Sequence, residues 1–278
     1  MKRKSQNRLL GRILLYLILC IFAFLMLIPF VWMLSASLKF NKDIFVIPYA
    51  WISRSPRWRN YLDIWTKIPL LTFTKNTVKL TLIVTVLQIL SSSFAAYAFA
   101  KLRFRGRNFL FLAYVATIAV PWQVYMVPQF MFMRSLGLAD THLAIIILQA
   151  FSAFGVFMMR QFYEGIPDSL CEAARIDGMS EYGIYARIML PLSKPALSTL
   201  VIFTFVNTWN DFLGPLIYLT SESKKTLQIG LKMFISQYSA EYGLIMAASV
   251  LSLIPVLAVF LALQKYFVAG IASSGVKG

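Results

Sequence analysis

Polar residues that could do chemistry are few in this sequence, and four of them fall together in one apolar stretch. They are Asn207, Trp209, Asn210 and Asp211. Amide side chains hydrogen-bond hydroxyl groups, and an aromatic ring can stack on the face of a sugar ring. An acid in the centre of a bilayer costs about 2.5–3.5 kcal/mol, so such a residue faces protein or water. The four residues are candidates for lining a solute path. The alternatives are interfacial anchoring for the tryptophan and an outer-vestibule position for the acid.

The polar segment 161–194 has a sequence that favours ordered helices over a plain linker. Ser169 and Glu172 have the spacing of a capping box, with Ser169 as the N-cap of a short helix. Asp177-Gly178 then predicts a turn, in which Gly178 takes a backbone angle that other residues avoid. The segment is therefore predicted to hold a helix, a glycine turn and a second helix.

This helix–turn–helix also has features that suit contact with another protein. Ala173 and Ala174 give the first helix a smooth side that permits close approach, and Glu172 and Asp177 flank that side with charge. Ser180 is predicted to cap the second helix. The alternative is that these residues only build a stable helix and its C-terminal turn.

Catalytic and metal-binding chemistry is not indicated by the sequence. The single histidine, His142, and the two cysteines, Cys20 and Cys171, have no metal-ligand spacing and form no disulfide framework. The sequence contains no phosphate-binding glycine loop, and its apolar runs contain no paired acids that could act as catalyst. We expect the chain not to be an enzyme.

Long apolar runs must position all of these residues. The chain has 278 residues, of which 59% are hydrophobic and 14% are charged, whereas soluble proteins carry about 25% charged residues. A membrane-spanning helix needs about 20 apolar residues. Six stretches of this kind predict an all-α integral membrane protein, with a single transmembrane domain over residues 1–278. The predicted spans are approximately 13–36, 76–100, 108–133, 141–160, 195–219 and 242–266.

The net charge of +16 is best explained by membrane topology, not by nucleic acid binding, because Lys and Arg cluster between the apolar runs. Basic residues precede the first span, and the short loop between spans two and three carries Lys101, Arg103, Arg105 and Arg107. Both regions are predicted to be cytoplasmic and to face anionic lipid, which places both termini in the cytoplasm. The basic loop 39–67 opposes this assignment, but its charges are less dense.

The segment 161–194 resembles a known family motif. Residues 172–178 read EAARIDG and residues 188–192 read IMLPL, which resembles the EAA loop of ABC importer permeases. The stretch 207–212 with Pro215-Leu216, and the C-terminal stretch 264–278, are similar to carbohydrate-uptake permeases of the maltose transporter type. The chain is identified as a member of that family and resembles the smaller permease of the pair.

The resemblance implies a type I ABC importer fold, with six transmembrane helices and a cytoplasmic coupling helix in the loop 161–194. It implies a multi-pass subunit of a bacterial inner membrane that forms a sugar path with a second permease. An ATPase dimer carries ATP and Mg, so no cofactor is expected in this chain, and an extracytoplasmic binding protein delivers the sugar. The implied coupling residues are Glu172, Ala173, Ala174, Asp177 and Gly178.

Two alternatives remain at this point. One is an ABC importer permease for a solute other than a sugar. The other is an ion-coupled secondary transporter, which favours paired intramembrane acids or broken helices in repeated halves. Asp211 is the one acid within a predicted span, and no repeat is visible, so the second alternative is the weaker.

Overall fold

A computed structural model describes residues 2–53, 55–235 and 241–274. Over these residues the chain is helical and has no strand, which confirms the predicted all-α class. Short 3₁₀ helices at Thr117–Ala119 and Glu222–Lys224 and a π-helix at Tyr185–Met189 complete the helical structure. The α-helices are, in chain order, α1 (Lys2–Ser37), α2 (Asn41–Ile44), α3 (Asn60–Lys67), α4 (Leu70–Lys101), α5 (Arg107–Ala116), α6 (Trp122–Ser135), α7 (His142–Gln149), α8 (Ala153–Glu164), α9 (Asp168–Ile176), α10 (Glu181–Ile184), α11 (Leu190–Leu192), α12 (Lys194–Trp209), α13 (Leu213–Tyr218), α14 (Leu227–Met233) and α15 (Tyr242–Ser274).

Four helical stretches among the described residues are long and apolar enough to cross a membrane. They are Gly11–Ser37, Leu70–Lys101, His142–Glu164 and Tyr242–Tyr266. Two bent helix pairs raise this number to six if each pair is one span. The fold is therefore that of an integral membrane protein, and the individual span bounds stay predictions.

The two bent pairs differ from the straight helices that hydropathy suggests. Arg107–Ala119 and Trp122–Ser135 meet at 101°, and Pro121 stands at the start of the second helix. Proline cannot continue a helical hydrogen-bond ladder, which accounts for the break within the predicted span 108–133. The other pair, Glu181–Leu192 and Lys194–Trp209, meets at 79°.

The chain forms two compact units, one from residues 1–68 and 231–252 and the other from residues 69–230 and 253–278. The prediction of one domain over the whole chain stays a prediction. In the first unit, the basic loop after α1 is ordered by Asn60, which is buried and donates hydrogen bonds to the carbonyls of Ser37 (2.8 Å) and Lys39 (3.0 Å). The backbone N–H of Gly243 donates to Oδ1 of Asn41 (2.9 Å), which ties this loop to the start of α15.

The second unit contains the candidate sites, and its core is formed by α4, α8 and α12. Gly155 of α8 lies where these helices approach one another. A Cβ atom there would collide with the side chain of Ser92 and lie 3.2 Å from Leu200. Glycine is therefore the residue that lets α8 pack against α4 and α12.

The loop that follows α13 is fixed by an aspartate with a left-handed backbone. Asp140 has φ 55°, and its carboxylate accepts hydrogen bonds from the N–H groups of Thr220 (2.9 Å) and Ser221 (3.0 Å). The ammonium of Lys224 also donates to it (3.0 Å). The Ser221 hydroxyl donates to the same carboxylate. Together these hydrogen bonds, that of the Ser221 hydroxyl most of all, hold the pKa of Asp140 well below its ordinary value.

Candidate functional site

The first helix of the predicted coupling segment begins two residues before the predicted start. The helix α9 starts at Asp168 with Pro167 as its N-cap, and no side chain caps it. The predicted capping box of Ser169 and Glu172 is therefore wrong. The physical reason is that Ser169 lies inside the first turn of α9 and not before it. Lys101 instead fixes the chain at the helix start, through hydrogen bonds from its ammonium to the carbonyl of Ile166 (2.6 Å) and to the carboxylate of Asp168.

The turn after α9 has the predicted glycine geometry. Gly178 has φ 79°, a left-handed conformation that L side chains rarely adopt. The N–H of Gly178 donates to the carbonyl of Arg175 (3.0 Å), and the N–H of Met179 donates to that of Ala174 (2.9 Å). Ser180 then caps α10 by accepting from the N–H of Gly183 (3.3 Å). The predictions for Gly178 and Ser180 are confirmed.

The two alanines of α9, Ala173 and Ala174, have opposite environments. Ala174 is 5% exposed and packs, with Cys171, in the core of the second unit. Ala173 is exposed, as are Glu172 and Asp177. The prediction of a smooth side formed by both alanines is therefore wrong for Ala174, because positions three apart on a helix share one face and here that face is the anchored one.

The exposed face of α9 also carries a large apolar side chain that the sequence interpretation overlooked. Ile176 is 86% exposed. It lies four residues after Glu172 and three after Ala173, so the three share one helix face. The exposed face of α9 thus combines a carboxylate, a small side chain and a large apolar side chain.

Ion pairs and hydrogen bonds fix α9 to its neighbours in the second unit. The Lys101–Asp168 pair joins it to the end of α4, and the side chain of Lys101 is 3% exposed. The guanidinium of Arg175 donates to Glu181 (2.6 Å), and the Tyr97 hydroxyl of α4 also donates to Glu181. The Lys101 ammonium, as hydrogen-bond donor and as charge, holds the pKa of Asp168 below its ordinary value. These contacts link α9, the first helix of the predicted coupling segment, to α4.

The second candidate site is a cavity of about 740 Å³ in the second unit. Two of the four predicted path residues, Asn207 and Asp211, line it. Trp209 does not, since it is 2% exposed and stacks on Phe205 with ring centroids 5.6 Å apart. Asn210 also lies outside the lining, and its Oδ1 accepts a hydrogen bond from Gln228 (3.3 Å).

Two helix breaks border the cavity, and the first interrupts the fourth predicted span. The helix α7 ends at Gln149 and α8 begins at Ala153. Two backbone carbonyl groups at this break accept hydrogen bonds from side chains of α4. Nε2 of Gln88 donates to the carbonyl of Gln149 (3.0 Å), and the Ser91 hydroxyl donates to that of Ala150 (2.7 Å).

The second break lies within the fifth predicted span, between the end of α12 and the start of α13. Asp211 occupies this break. Its Oδ1 accepts from the N–H of Gly214 (3.1 Å), in the first turn of α13, and its Oδ2 accepts from Nε2 of Gln149 (2.7 Å). The Asp211 carboxylate therefore accepts a hydrogen bond from a backbone N–H of the first turn of α13, where such groups have no partner within the helix.

Several cavity residues escaped the sequence interpretation. They are Gln88, Gln129, Gln149, Ser152 and Thr204. For the three glutamines, the sequence signal was an uncharged amide within an apolar run. Such a residue is expected to face protein or a cavity, because polar groups in a spanning helix avoid lipid. Among the described residues, no group of three or more His, Cys, Asp or Glu side chains could hold a metal ion.

The described residues form an all-helical membrane protein. It has a polar cavity at two helix breaks and an ordered segment that exposes one face. These features are typical of a transport permease. The chain belongs to the family described as "Binding-protein-dependent transport system inner membrane component", whose profile matches residues 88–273. This confirms the predicted family, and it supports an importer permease over the ion-coupled alternative.

Two relatives and one solved structure extend the similarity over most of the chain. The chain is 40% identical over 220 residues to the arabinooligosaccharides transport system permease protein AraQ of Halalkalibacterium halodurans, covering 79% of each. It is 33% identical over 268 residues to the lactose transport system permease protein LacG of Rhizobium radiobacter, covering 96% of this chain and 97% of that one. The crystal structure of a bacterial ABC transporter that imports the acidic polysaccharide alginate matches with a TM-score of 0.81 and 28% identity, covering 94% of this chain and 98% of that one.

Proposed function

We propose that this permease is one of two permease subunits of an ATP-driven importer for a sugar or oligosaccharide. Both of its termini lie in the cytoplasm, and a binding protein delivers the sugar from outside. The relatives named for arabinooligosaccharides and lactose support the substrate class. The amide and aromatic lining of the cavity supports it independently, because sugars are held by hydrogen bonds to hydroxyls and by ring stacking.

The observation that carries this proposal is the arrangement of α9. One face of this helix is anchored through Cys171 and Ala174, and the opposite face presents Glu172, Ala173 and Ile176 to solvent. A helix held this firmly, with an apolar residue 86% exposed at position 176, is suited to seat in a cleft of another protein. The partner is an ATPase dimer, and ATP and Mg bind there.

The coupling residues have distinct roles in this proposal. Glu172 and Asp177 supply charge to the contact, and Ala173 and Ile176 supply its close-packed apolar part. Gly178 sets the direction in which the chain leaves α9, since its left-handed backbone begins the turn to α10. Ala174 has a structural role, because it packs α9 against the core of the second unit.

Coupling then follows from rigid linkage. When ATP closes the ATPase dimer, the coupling helices of the two permeases move with it, and the spans rock between inward-facing and outward-facing states. The Lys101–Asp168 pair transmits this movement to α4. The residue Gln88 of α4 reaches the cavity, so one helix connects the docking surface with the solute path.

The test is charge reversal on the exposed face of α9. Glu172→Lys is expected to lower the amount of ATPase that co-purifies with the permease by about tenfold, which corresponds to 1.4 kcal/mol, and to lower uptake equally. Glu222→Lys, the same change at an exposed acid of the 3₁₀ helix Glu222–Lys224, is the control and should leave ATPase binding unchanged. Equal ATPase binding by both variants and wild type would contradict the coupling assignment.

A further inference from the structure

We propose that the ATPase contacts a second segment of this chain, the loop 102–106 between α4 and α5, and that Arg103 and Phe104 form this contact. This inference rests on the proposed function and extends its docking surface beyond α9. A cavity of about 580 Å³ lies between the loop and α9, and residues of both segments line it. The loop is continuous with the proposed docking face of α9, because Glu172 of that face also lines the cavity.

The charged residues of this cavity are only partly paired with one another. Six charged side chains line it. Four of these form two ion pairs, namely Lys101–Asp168 and Arg175–Glu181. The other two are Arg103 and Glu172, one cation and one anion, and both are exposed. Neither forms an ion pair within the described part of the chain. The cavity therefore offers one unpaired charge of each sign to a protein that binds here.

The loop holds Arg103 and Phe104 in an ordered conformation. The ring of Phe104 packs near that of Phe99 on α4, with the ring centroids 6.1 Å apart. The guanidinium of Arg107 donates to the carbonyl of Leu102 (3.0 Å), and the backbone N–H of Arg107 donates to the carbonyl of Phe104 (3.4 Å). Phe104 is nonetheless 42% exposed. Because an ordered loop loses less conformational entropy on binding, its exposed side chains are suited to contact another protein.

The chemistry of the two segments defines the partner surface. We expect the ATPase to place an acidic residue opposite Arg103 and a basic residue opposite Glu172, because charge complementarity fixes the register of two protein surfaces. Phe104 in the loop and Ile176 on α9 add exposed apolar surface, and arginine and aromatic residues contribute much of the binding energy at protein interfaces. Since the loop directly follows α4, movement of the ATPase reaches this helix through the loop as well as through α9.

The test measures binding of the purified ATPase to the assembled permease pair in lipid nanodiscs. Arg103→Glu is expected to weaken this binding by about tenfold, as Glu172→Lys does, because a like charge then faces the acidic residue of the partner. Arg105→Glu is the matched control. It makes the same charge change in the same loop, at an exposed residue outside the cavity lining, and it should leave ATPase binding unchanged.

A second variant and a change of lipid complete the test. Arg103→Ala removes the cation without adding an anion, so it should weaken ATPase binding by about threefold. It decides the question if Arg103→Glu does not assemble. Nanodiscs of phosphatidylcholine, which carries no net charge, are compared with nanodiscs that contain phosphatidylglycerol, because a basic loop at the membrane surface also attracts anionic lipid. The weakening by Arg103→Glu should be the same in both lipids.

The possible results separate this inference from the proposed function. Equal ATPase binding by wild type, Arg103→Glu and Arg103→Ala would overturn the inference. Equal weakening by Arg103→Glu and Arg105→Glu would overturn it too, because it indicates a general electrostatic attraction. An effect of Arg103→Glu that is confined to phosphatidylglycerol would overturn it in favour of a lipid contact. In all three cases, weakening by Glu172→Lys leaves the proposed function intact. ATPase binding that is unchanged even by Glu172→Lys contradicts the coupling assignment itself.

Discussion

Gln149 donates a 2.7 Å hydrogen bond from its Nε2 to Oδ2 of Asp211, and this bond joins the breaks of two predicted spans. Gln149 is the last residue of α7, and Asp211 lies between α12 and α13. Each residue has a second partner that stabilises its own break, since the Gln149 carbonyl accepts from Gln88 and Asp211 accepts from Gly214. The two interruptions therefore form one connected polar structure at the cavity wall.

The first prediction concerns this bond. Gln149→Leu removes the donor and leaves the Asp211 carboxylate with one partner, so we expect a loss of about 1–3 kcal/mol of stability. The measurement is thermal unfolding of the detergent-purified protein. Gln123→Leu, at an exposed glutamine of α6, is the control. If the two variants unfolded at the same temperature, the bond would have no structural role.

The second prediction uses the two neighbouring alanines of α9. Ala174→Leu overfills a packed core and should cost about 1–3 kcal/mol of stability. Ala173→Leu changes an exposed position, so stability should stay within about 0.5 kcal/mol of wild type while ATPase association weakens. Thermal unfolding and co-purification of the ATPase provide the two readouts. Loss of stability from Ala173→Leu and none from Ala174→Leu would show that Ala173, and not Ala174, packs in the core.

The third prediction isolates backbone strain at Gly178. A Cβ atom at this position meets no atom within 4 Å, so Gly178→Ala acts only through its left-handed backbone, at a cost of about 1–2 kcal/mol. Gly11→Ala in α1 also enters open space but without a positive φ, and it should leave stability unchanged or raise it by up to about 1 kcal/mol. We expect only Gly178→Ala to reduce ATPase association. Equal effects of the two variants would show that the turn geometry does not matter.

The fourth prediction is a pH dependence. Lys101 holds the pKa of Asp168 below its ordinary value, so the stabilisation from this pair is present above the unfolded pKa of about 3.9 and is lost as the pH falls further. Amide exchange of α9, corrected for the intrinsic pH dependence of exchange, should therefore report the same opening equilibrium at pH 7 and pH 5. Lys101→Met should increase opening at both values. A transition near pH 6 in wild type would contradict the assignment.

The cavity residues show what the sequence could predict of the site. Asn207 and Asp211 are polar residues in an apolar run, which is enough to predict that they face a cavity or protein, although Asp211 lies in the break after α12 and not on its face. Trp209 lies between them and faces the opposite way, against Phe205. Grouping Trp209 with its neighbours by chemistry was wrong because helical register, not proximity in sequence, decides which side chains meet.

The helix breaks show what the sequence could not predict. Residues 150–152 contain neither proline nor glycine that would end α7, and the one local signal is Ser152, which caps α8 by accepting from the N–H of Gly155 (3.0 Å). The break is stabilised by donors from a distant helix, Gln88 and Ser91 of α4. Similarly, α9 begins at Asp168 without a side-chain cap, and Lys101 of α4 holds the chain at this point. In each case a hydrogen bond from a distant helix, which the local sequence does not contain, helps to fix the boundary.

ATP-driven sugar import is tested directly by transport with the purified complex in proteoliposomes. The external solution contains the binding protein and a radiolabelled neutral oligosaccharide, arabinotriose or lactose, and ATP with Mg is enclosed at the cytoplasmic face. We expect sugar accumulation that requires both ATP and the binding protein, that persists when ion gradients are collapsed, and that falls with Glu172→Lys. Accumulation driven by an ion gradient in the absence of ATP would contradict it.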